Sequence, residues 1–277
     1  MSQRASTIQA SVTGYKCVAT MITYKKAALR IAELWFDEEP CQSRIDIVRC
    51  FQRSAPMSHG TWTRFHTILI DLTQAADFLL AGMKKDTRYE IRRADSRDRI
   101  AFHQWMPVDH ACLARFAAFY DQHSLQKGPV AGAHGRLTEW AKTDSLVLSE
   151  VRDEKGSTLV WHAYYFTKDR VRLVHSVSCR EIANDSSWRA MLGRANRFHH
   201  WRDILAFAQQ AVHFYDFGGW YEGNTDTKKL SINRFKEEFG GQIVVGYNGQ
   251  AGLTLAGRAA LWCHARIRGS SQLNQAS

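Results

Sequence analysis

The sequence predicts an α/β fold in which a mixed, mostly antiparallel sheet is flanked by helices. Two observations lead to this prediction. Over residues 145–248, segments dense in β-branched and aromatic residues alternate with segments whose apolar residues recur every three or four positions. Hydrophobic residues make up 45% and charged residues 23% of the chain, which allows a core of normal size. We therefore expect a sheet with helices packed on it.

The first half of the chain is predicted to contribute strands and one long helix. Strand patterns cover residues 15–26, 45–51 and 65–72, while residues 27–36 fit either a strand or a weak helix. A helix is predicted from about residue 73 to residue 95. Its buried stripe follows steps of three and four, at Leu80, Met83, Thr87, Ile91 and Ala94.

The second half is predicted to hold the denser part of the sheet. Its elements, in order, are strands over residues 145–152, 158–167 and 170–178, a helix over 186–212, a strand over 213–217, a helix over 230–239 and a strand over 242–248. The first three strands form an antiparallel meander. Two glycines after the last helix are typical of a helix C-terminus.

The predicted elements divide the chain into four parts. Residues 1–14 are small and polar and are expected to be a disordered N-terminus. Residues 15–135 form an N-terminal part with the basic helix, and residues 136–265 form the main core. Residues 266–277 are expected to be a loose tail.

Charge and cysteine content narrow the class of protein. The formal charge of +10 fits an anionic partner such as nucleic acid, nucleotide or phospholipid, and it also fits a basic protein without one. The 6 cysteines form no CxxC pair, so we expect reduced thiols rather than zinc ligands or disulfides. We find no secretory h-region and no apolar run long enough to span a bilayer, which predicts a cytoplasmic protein without stable membrane insertion.

Several catalytic motifs are missing from the sequence. There is no Gly-x-Ser-x-Gly elbow, no Walker loop and no HExxH spacing among the 12 histidines. Nucleophilic hydrolases, nucleoside triphosphatases and metal sites are therefore not predicted. His162 and His175 lie on adjoining predicted strands, and we interpret them as a packed structural pair.

The first candidate site is the sequence Tyr-Asp-Phe-Gly-Gly-Trp over residues 215–220. Gly218 and Gly219 at a strand end permit close approach of a ligand or a positive φ. Asp216 is suited to orienting a donor or a substrate amine. The alternative is a tight turn in which Asp216 bonds only local amides.

The second candidate lies in the predicted helix over residues 230–239. Phe235 and Phe239 are four residues apart and are expected to pack together, which turns Arg234 and Lys236 elsewhere, toward an anion. The alternative is a solvated helix face that carries Lys-Glu pairs.

The third candidate is the basic helix that contains Arg88, Tyr89, Arg92 and Arg93. Its cationic face is able to bind phosphate, and it is equally able to form salt bridges with the acids interspersed along it. Residues 189–195 are weakly similar to the pyrophosphate loop of acetyltransferases, but they fall inside a predicted helix.

Four blocks in order resemble the FemABX-like branch of the GNAT acyltransferase superfamily. They are Asp71-Leu72 with residues 87–94 (TRYEIRRA), residues 193–197 (GRANR) with His200-Trp201, residues 215–219 (YDFGG), and residues 234–241 (RFKEEFGG). The resemblance implies a GNAT-like core over residues 136–265. Residues 15–135 would then be an abbreviated GNAT-like half.

The resemblance also implies an activity, the transfer of an acyl group to an amine. In the best-known members the donor is aminoacyl-tRNA and the acceptor is a lysine of a peptidoglycan precursor. The family's Phe-Lys pair, which lies beside the reacting acyl group, corresponds to Phe235 and Lys236, and a lysine ammonium is suited to stabilising an oxyanion. Asp216 would help to position the substrates.

The remaining residues of the implied site would bind substrate, with no cofactor beyond the acyl donor as co-substrate. They are Arg88, Tyr89, Arg92, Arg93, Gly218, Gly219 and Arg234. The best-known members are longer, with two GNAT-like halves, so the acceptor is left open among cell-wall precursors, polysaccharides, lipids and natural products. Two alternatives remain open: a transferase that uses acyl-CoA, and a non-catalytic RNA- or lipid-binding module of the same fold.

Overall fold

The computed structural model describes residues 21–40, 44–123, 133–179 and 185–273. The described strands are β1 (Ile22–Lys26), β2 (Leu29–Trp35), β3 (Ile47–Arg53), β4 (Thr61–Asp71), β5 (Ala101–Trp105), β6 (Leu146–Arg152), β7 (Thr158–Phe166), β8 (Arg170–Ser178), β9 (Phe214–Trp220) and β10 (Gln242–Gly252). The helices are α1 (Ala76–Gly82), α2 (Lys85–Ser96), α3 (His110–His123), α4 (Ala133–Ala141), α5 (Ser186–Gln209), α6 (Thr227–Glu237) and α7 (Leu255–Leu273). The predicted disordered N-terminus, residues 1–14, lies outside the described residues.

All the described strands belong to one sheet in the order β1-β2-β3-β10-β4-β9-β8-β7-β6-β5. β2 runs parallel to β3 and β8 runs parallel to β9, whereas the other neighbouring pairs are antiparallel. The predicted α/β fold with a mixed, mostly antiparallel sheet and flanking helices is therefore confirmed.

Helices cover both faces of the sheet, and each face has its own core. Tyr164 and Tyr165, neighbours on β7, point to opposite faces because side chains alternate along a strand. Tyr164 belongs to the core beneath α1, α2, α5 and α6, which includes Phe207. Tyr165 belongs to the core beneath α3 and α4, where it packs against Trp140 and Trp35. Both tyrosines are fully buried, which explains why β7 carries apolar and aromatic residues on both of its faces.

The long helix predicted from residue 73 to residue 95 is wrong, because two helices occupy this segment. α1 ends at Gly82 and α2 begins at Lys85. At the break, the backbone N–H of Lys84 donates to Glu238 O at 2.9 Å. The Arg88 guanidinium donates to the carbonyl of Ala81 at 2.9 Å. The apolar stripe continues through the break because Met83 is buried there, so spacing alone did not reveal it.

Two further expectations need correction. The tail predicted to be loose from residue 266 is helical as far as Leu273, in α7. His162 and His175 do not form a packed pair, because His175 is paired with Ala163 in the β7–β8 ladder and faces the other side of the sheet. His175 packs against Tyr120, whereas His162 packs against His199.

The sheet also continues across the predicted boundary between the N-terminal part, residues 15–135, and the main core, residues 136–265. β5 joins the far edge beside β6, and β10 lies between β3 and β4. Among the described helices, none is both long and apolar enough to cross a membrane.

Candidate functional site

The candidate site lies where the parallel strands β8 and β9 separate. They pair over three positions, from Arg170 opposite Phe214 to Arg172 opposite Asp216. Beyond Asp216, β9 continues along β4 to Trp220. The separation leaves backbone groups of Gly218 and Gly219 without partners in β8, and side chains bond to them instead.

A β-bulge marks this separation. Thr67 pairs with Gly219 and Leu69 pairs with Asp216, so two residues of β9 stand opposite one residue of β4. Gly218 lies in the bulge with φ +72°, and a Cβ there would meet the carbonyl oxygen of Leu173 at 2.9 Å. Glycine is therefore required at this position both for the backbone angle and for the close approach of β8.

Asp216 is fully buried beneath the bulge, and both of its carboxylate oxygens are occupied. Oδ2 accepts hydrogen bonds from Arg170 Nε and from Gln52 Nε2, both at 3.0 Å. Oδ1 accepts from the backbone N–H of Gly218 at 2.7 Å and from the hydroxyl of Thr67. Asp216 thus holds groups from four strands, and neither oxygen is left over for a substrate.

Arg172 is a second cation close to this carboxylate. Its guanidinium carbon lies 5.0 Å from the centre of the Trp35 ring and 5.7 Å from that of Phe65. Burial lowers the pKa of Arg172, and the charge of Asp216 opposes that shift. Its Nε has no hydrogen-bond partner within the described ranges.

Lys236 reaches the bulge from α6. Its side chain is buried, at 8% exposure. The ammonium donates to the carbonyl of Gly219 and lies 3.4 Å from the carbonyl oxygen of Gly218. Burial lowers the pKa of Lys236 to about 8, while the charge of Asp216 raises it. A cation whose pKa lies near neutral pH is thus held against the two glycines named in the sequence.

Phe235 and Phe239 pack together as predicted, with ring centres 5.4 Å apart. Phe235 is half-buried and also lies against His200, at 5.6 Å, and under the guanidinium of Arg197, at 5.2 Å. Arg234 is exposed. α6 therefore turns Lys236 inward and Arg234 outward, so these two cations do not point to one place.

Two cavities lie near the separation of β8 and β9, one lined by Arg170 of β8 and the other by Gly219 of β9. The first, the Gln52 cavity, has a volume of about 200 Å³, and its lining includes Asp37, Gln52, Arg53, Ser54, Thr67 and Arg170. The second, the Trp220 cavity, has a volume of about 280 Å³ and is lined by Gly219, Trp220, Tyr221, Lys229, Ile232 and Asn233. Thr67 lines the first cavity and lies 2.7 Å from the carbonyl oxygen of Gly218, and the neighbouring Gly219 lines the second.

The predicted phosphate-binding residues of α2 do not form one group. Arg88 is occupied by carbonyls at the end of α1, and Arg93 is half-buried. Tyr89 and Arg92 are exposed. Only the exposed pair, on the outer surface of α2, is open to a large anionic partner.

The segment similar to a pyrophosphate loop, residues 189–195, lies inside α5 as predicted. Arg194 is paired with Asp98 at 2.6 Å. The N-terminus of α5 is capped by the carboxylate of Asp185, which accepts from the N–H of Ser187 at 2.8 Å. No free N–H cradle for a pyrophosphate is therefore found in the described part of this segment.

A buried cluster of His162, His199 and Asp203 is the described group whose atoms could come together on a metal ion. The two imidazole rings are stacked, with centres 3.8 Å apart and planes 3° apart. A metal lies in the plane of each imidazole that binds it, at about 2.0–2.1 Å from the nitrogen. Parallel rings at this separation cannot share such an ion, so the cluster does not fit a metal.

The cluster is instead part of a hydrogen-bonded network in the core. His162 Nδ1 lies 2.8 Å from Asp203 Oδ2, and the Tyr164 hydroxyl donates to the same oxygen at 2.6 Å. Tyr164 is linked to the hydroxyl of Tyr215 at 2.9 Å, which lies 2.7 Å from His200 Nδ1. The network therefore ends at the histidine that packs on Phe235.

Sequence reasoning missed four residues that build the site: Gln52, Thr67, Arg170 and Arg172. They lie on three strands, and only the fold brings them together. Arg170 and Arg172 carried one local signal, since two arginines at alternate positions of an apolar strand share a face.

Comparisons with solved structures identify the fold. FemX gives a TM-score of 0.56 at 11% sequence identity, with 83% of each chain covered. L-PGS from Bacillus licheniformis gives 0.51 at 9% identity, covering 90% of this chain and 86% of that chain. A conserved protein of unknown function from Bacteroides thetaiotaomicron gives 0.50 at 7% identity, covering 86% and 84%. No family model and no curated protein matches the sequence. The predicted resemblance to FemABX-like GNAT proteins is thus confirmed for the fold.

The carboxylate of Asp216 is predicted to be essential for stability. Asp216→Ala leaves Arg170 and Arg172 without their shared counter-charge, and breaking such a buried pair costs about 3–5 kcal/mol of unfolding free energy. Urea denaturation measures the loss. The control is Asp169→Ala, which removes an exposed partner of His213 and should cost far less. Equal losses in the two variants would contradict this role of Asp216.

The buried histidine cluster is predicted to be indifferent to metal. A ligand that binds only the folded state raises the melting temperature. We expect the same Tm with a chelator and with a tenfold excess of Zn²⁺, measured by calorimetry. A rise in Tm with Zn²⁺ that disappears in His199→Gln would show that the stacked rings rearrange around an ion.

Proposed function

We propose that this protein is an N-acyltransferase that transfers an aminoacyl group from aminoacyl-tRNA to an amine. One observation carries the proposal. A buried lysine with a pKa lowered to about 8 is held where β8 and β9 separate, in a fold shared with FemX. A buried, preorganised ammonium of this kind is a strong electrostatic catalyst for acyl transfer.

The reaction begins with attack of the neutral acceptor amine on the carbonyl carbon of the donor ester. A C–N bond forms, and negative charge develops on the carbonyl oxygen. The Lys236 ammonium stabilises this oxyanion, and the tetrahedral species then collapses as the ester C–O bond breaks. The proton lost by the amine goes to the leaving oxygen. Phe235 provides an apolar wall beside the acyl group, as the family resemblance implies.

Asp216 acts as a positioning residue in this scheme. It holds the N–H of Gly218, and Lys236 is bound to the carbonyl of Gly219, so the carboxylate fixes the segment on which the ammonium rests. Its charge also raises the pKa of Lys236, which keeps more of the lysine protonated near neutral pH.

Aminoacyl-tRNA is favoured as the donor by charge. The chain carries +10, and exposed cations on α2 and α6, Arg92 and Arg234, offer phosphate contacts. Exposed Tyr89 offers a face for base stacking. The segment that is similar to a pyrophosphate loop is helical and its Arg194 is paired, which counts against acyl-CoA. Use of aminoacyl-tRNA would be a cytoplasmic reaction.

Lys236→Ala is predicted to lower the rate of acyl transfer by about 10²–10³-fold, the usual effect of removing one oxyanion donor. The unmodified enzyme should lose activity as pH rises through about 8, because deprotonation removes the ammonium. Lys236→Arg, which stays protonated, should lack this alkaline fall even if it is slower. The assay follows the mass of the acylated amine with charged tRNA and, separately, with acetyl-CoA.

Lys142→Ala is the control, since Lys142 is an exposed lysine directly after α4 that pairs with Glu139. Its rate and pH profile should match those of the unmodified enzyme. Near-normal turnover by a folded Lys236→Ala protein would contradict the proposed role of Lys236 in stabilising the oxyanion. Transfer from acetyl-CoA but not from charged tRNA would identify acyl-CoA as the donor. Salt-sensitive RNA binding without any acyl transfer would indicate a non-catalytic binding module.

A further inference from the structure

The Trp220 cavity lies along one face of α6. Lys229, Ile232 and Asn233 line it from this helix. Lys236 belongs to the same stripe, because residues three, four and seven positions apart share a face of a helix. It follows Asn233 by three residues, which is about 4.5 Å along the helix axis. The cavity therefore lies within about one helical turn of the lysine at the proposed reaction centre.

Gly219 connects the cavity with the Lys236 ammonium. Gly219 is exposed and lines the cavity, and its carbonyl accepts a hydrogen bond from that ammonium. The carbonyl carbon and the side chain of an aminoacyl group are joined through a single carbon atom. A group whose carbonyl lies near Lys236 must therefore place its side chain in an adjacent space, and the Trp220 cavity is such a space.

Hydrogen bonds within the protein already occupy polar groups of the cavity wall. The buried amide of Asn233 accepts from the N–H of Tyr221 at 3.0 Å and donates to the carbonyl of Tyr221 at 2.7 Å. The indole nitrogen of Trp220 donates to Glu237 at 3.1 Å. The hydroxyl of Tyr221 lies 3.2 Å from that of Thr225. These bonds hold the two aromatic residues in place before any ligand arrives.

The charge on the lining is matched as well. The Lys229 ammonium lies 3.3 Å from the Asp226 carboxylate and 4.9 Å from the centre of the Tyr221 ring. Asp226 therefore offsets the positive charge that a carboxylate ligand would need. Because the side chain of Lys229 is exposed, its charge is also screened by solvent.

What the cavity offers a ligand is apolar surface. Ile232 is 53% exposed although it is an isoleucine, and the rings of Trp220 and Tyr221 are half-buried. All three side chains therefore keep surface that a ligand can cover. Apolar and aromatic walls of this kind are typical of a cavity that binds an apolar group.

The volume limits the size of that group. About 280 Å³ corresponds to roughly nine non-hydrogen atoms, at about 30 Å³ for each water-sized unit. The side chain of leucine or phenylalanine fits in this space, whereas the chain of a fatty acid does not. Glycine would leave the apolar walls uncovered.

We infer that the Trp220 cavity binds the side chain of the transferred aminoacyl group, and that this side chain is apolar, as in a leucyl or phenylalanyl group. This inference rests on the proposed function, since it names the group that is transferred. Ile232, Trp220 and Tyr221 are then specificity-determining residues. The bonds that form and break remain the amide C–N bond and the ester C–O bond.

The first test measures binding of stable donor mimics to the full-length protein by titration calorimetry. Each mimic carries an aminoacyl group on the ribose of adenosine through an amide in place of the ester, so it is not transferred. The four acyl groups are leucyl, phenylalanyl, glycyl and aspartyl. We expect the first two mimics to bind at least about tenfold more tightly than the other two, because they bury apolar surface in the cavity.

Two variants of Ile232 separate a specificity-determining role from a merely structural one. Ile232→Asn makes the wall polar at similar size, and Ile232→Trp fills the cavity. Each should weaken binding of the leucyl and phenylalanyl mimics at least about tenfold and change the glycyl mimic much less. Ile243→Asn is the matched control, since Ile243 is an isoleucine of β10 with 48% exposure, outside the cavity lining. It should leave all four affinities unchanged.

The outcomes of the binding test decide what the cavity holds. Equal affinity for the leucyl and glycyl mimics, or no binding of any mimic, overturns the inference. Equal weakening of all four mimics by Ile232→Trp would place the adenosine in the cavity instead of the side chain, and this also overturns it. Tightest binding of the aspartyl mimic would show that Lys229 takes a carboxylate, which contradicts an apolar site.

A second measurement separates this inference from the proposed function. One tRNA is charged in turn with each of the four amino acids, and the acylated amine is followed by mass. Transfer without any preference for apolar acyl groups overturns the apolar site and leaves the transferase intact. A preference in binding that Ile232→Asn removes, without transfer from any charged tRNA, supports the apolar site and contradicts the transferase.

Discussion

The buried carboxylate of Asp216 is the constraint on which the rest of the site depends. It lies on β9 and joins Gln52 of β3, Thr67 of β4 and Arg170 of β8. A charge without solvent is tolerated only when its partners are held in good geometry, so the carboxylate fixes the relative positions of four strands. The bulge at Gly218 donates its backbone N–H to this carboxylate, and Gln52 donates its side-chain nitrogen.

The same interaction explains why a lysine can be buried nearby. Lys236 and Arg172 are two cations in a desolvated region, and each is influenced by the charge of Asp216. Three cations around one carboxylate, counting Arg170, leave a positive potential at the separation of β8 and β9. Such a region suits a reaction in which negative charge develops on an oxygen.

The sequence contained the local parts of this arrangement but not their assembly. The order of strands and helices along residues 145–248 and the packing of Phe235 on Phe239 follow from spacing and residue type. The partners Gln52 and Thr67 are 164 and 149 residues away from Asp216, and nothing local in the sequence marks such contacts. The helix break before Lys85 was not predicted for the same reason, since the carbonyl that accepts from the N–H of Lys84 belongs to distant Glu238.

The central claim is that Asp216 maintains a buried, protonated Lys236 at the reaction centre. NMR titration of protein labelled with ¹³C at the lysine ε-carbon measures the pKa of Lys236 directly, with Lys236→Arg identifying its resonance. We expect a pKa of about 8 for Lys236 in the unmodified protein, and a lower value in Asp216→Asn, because the stabilising negative charge is lost. An ordinary lysine pKa of about 10.4 in the unmodified protein, or no change in Asp216→Asn, would contradict it.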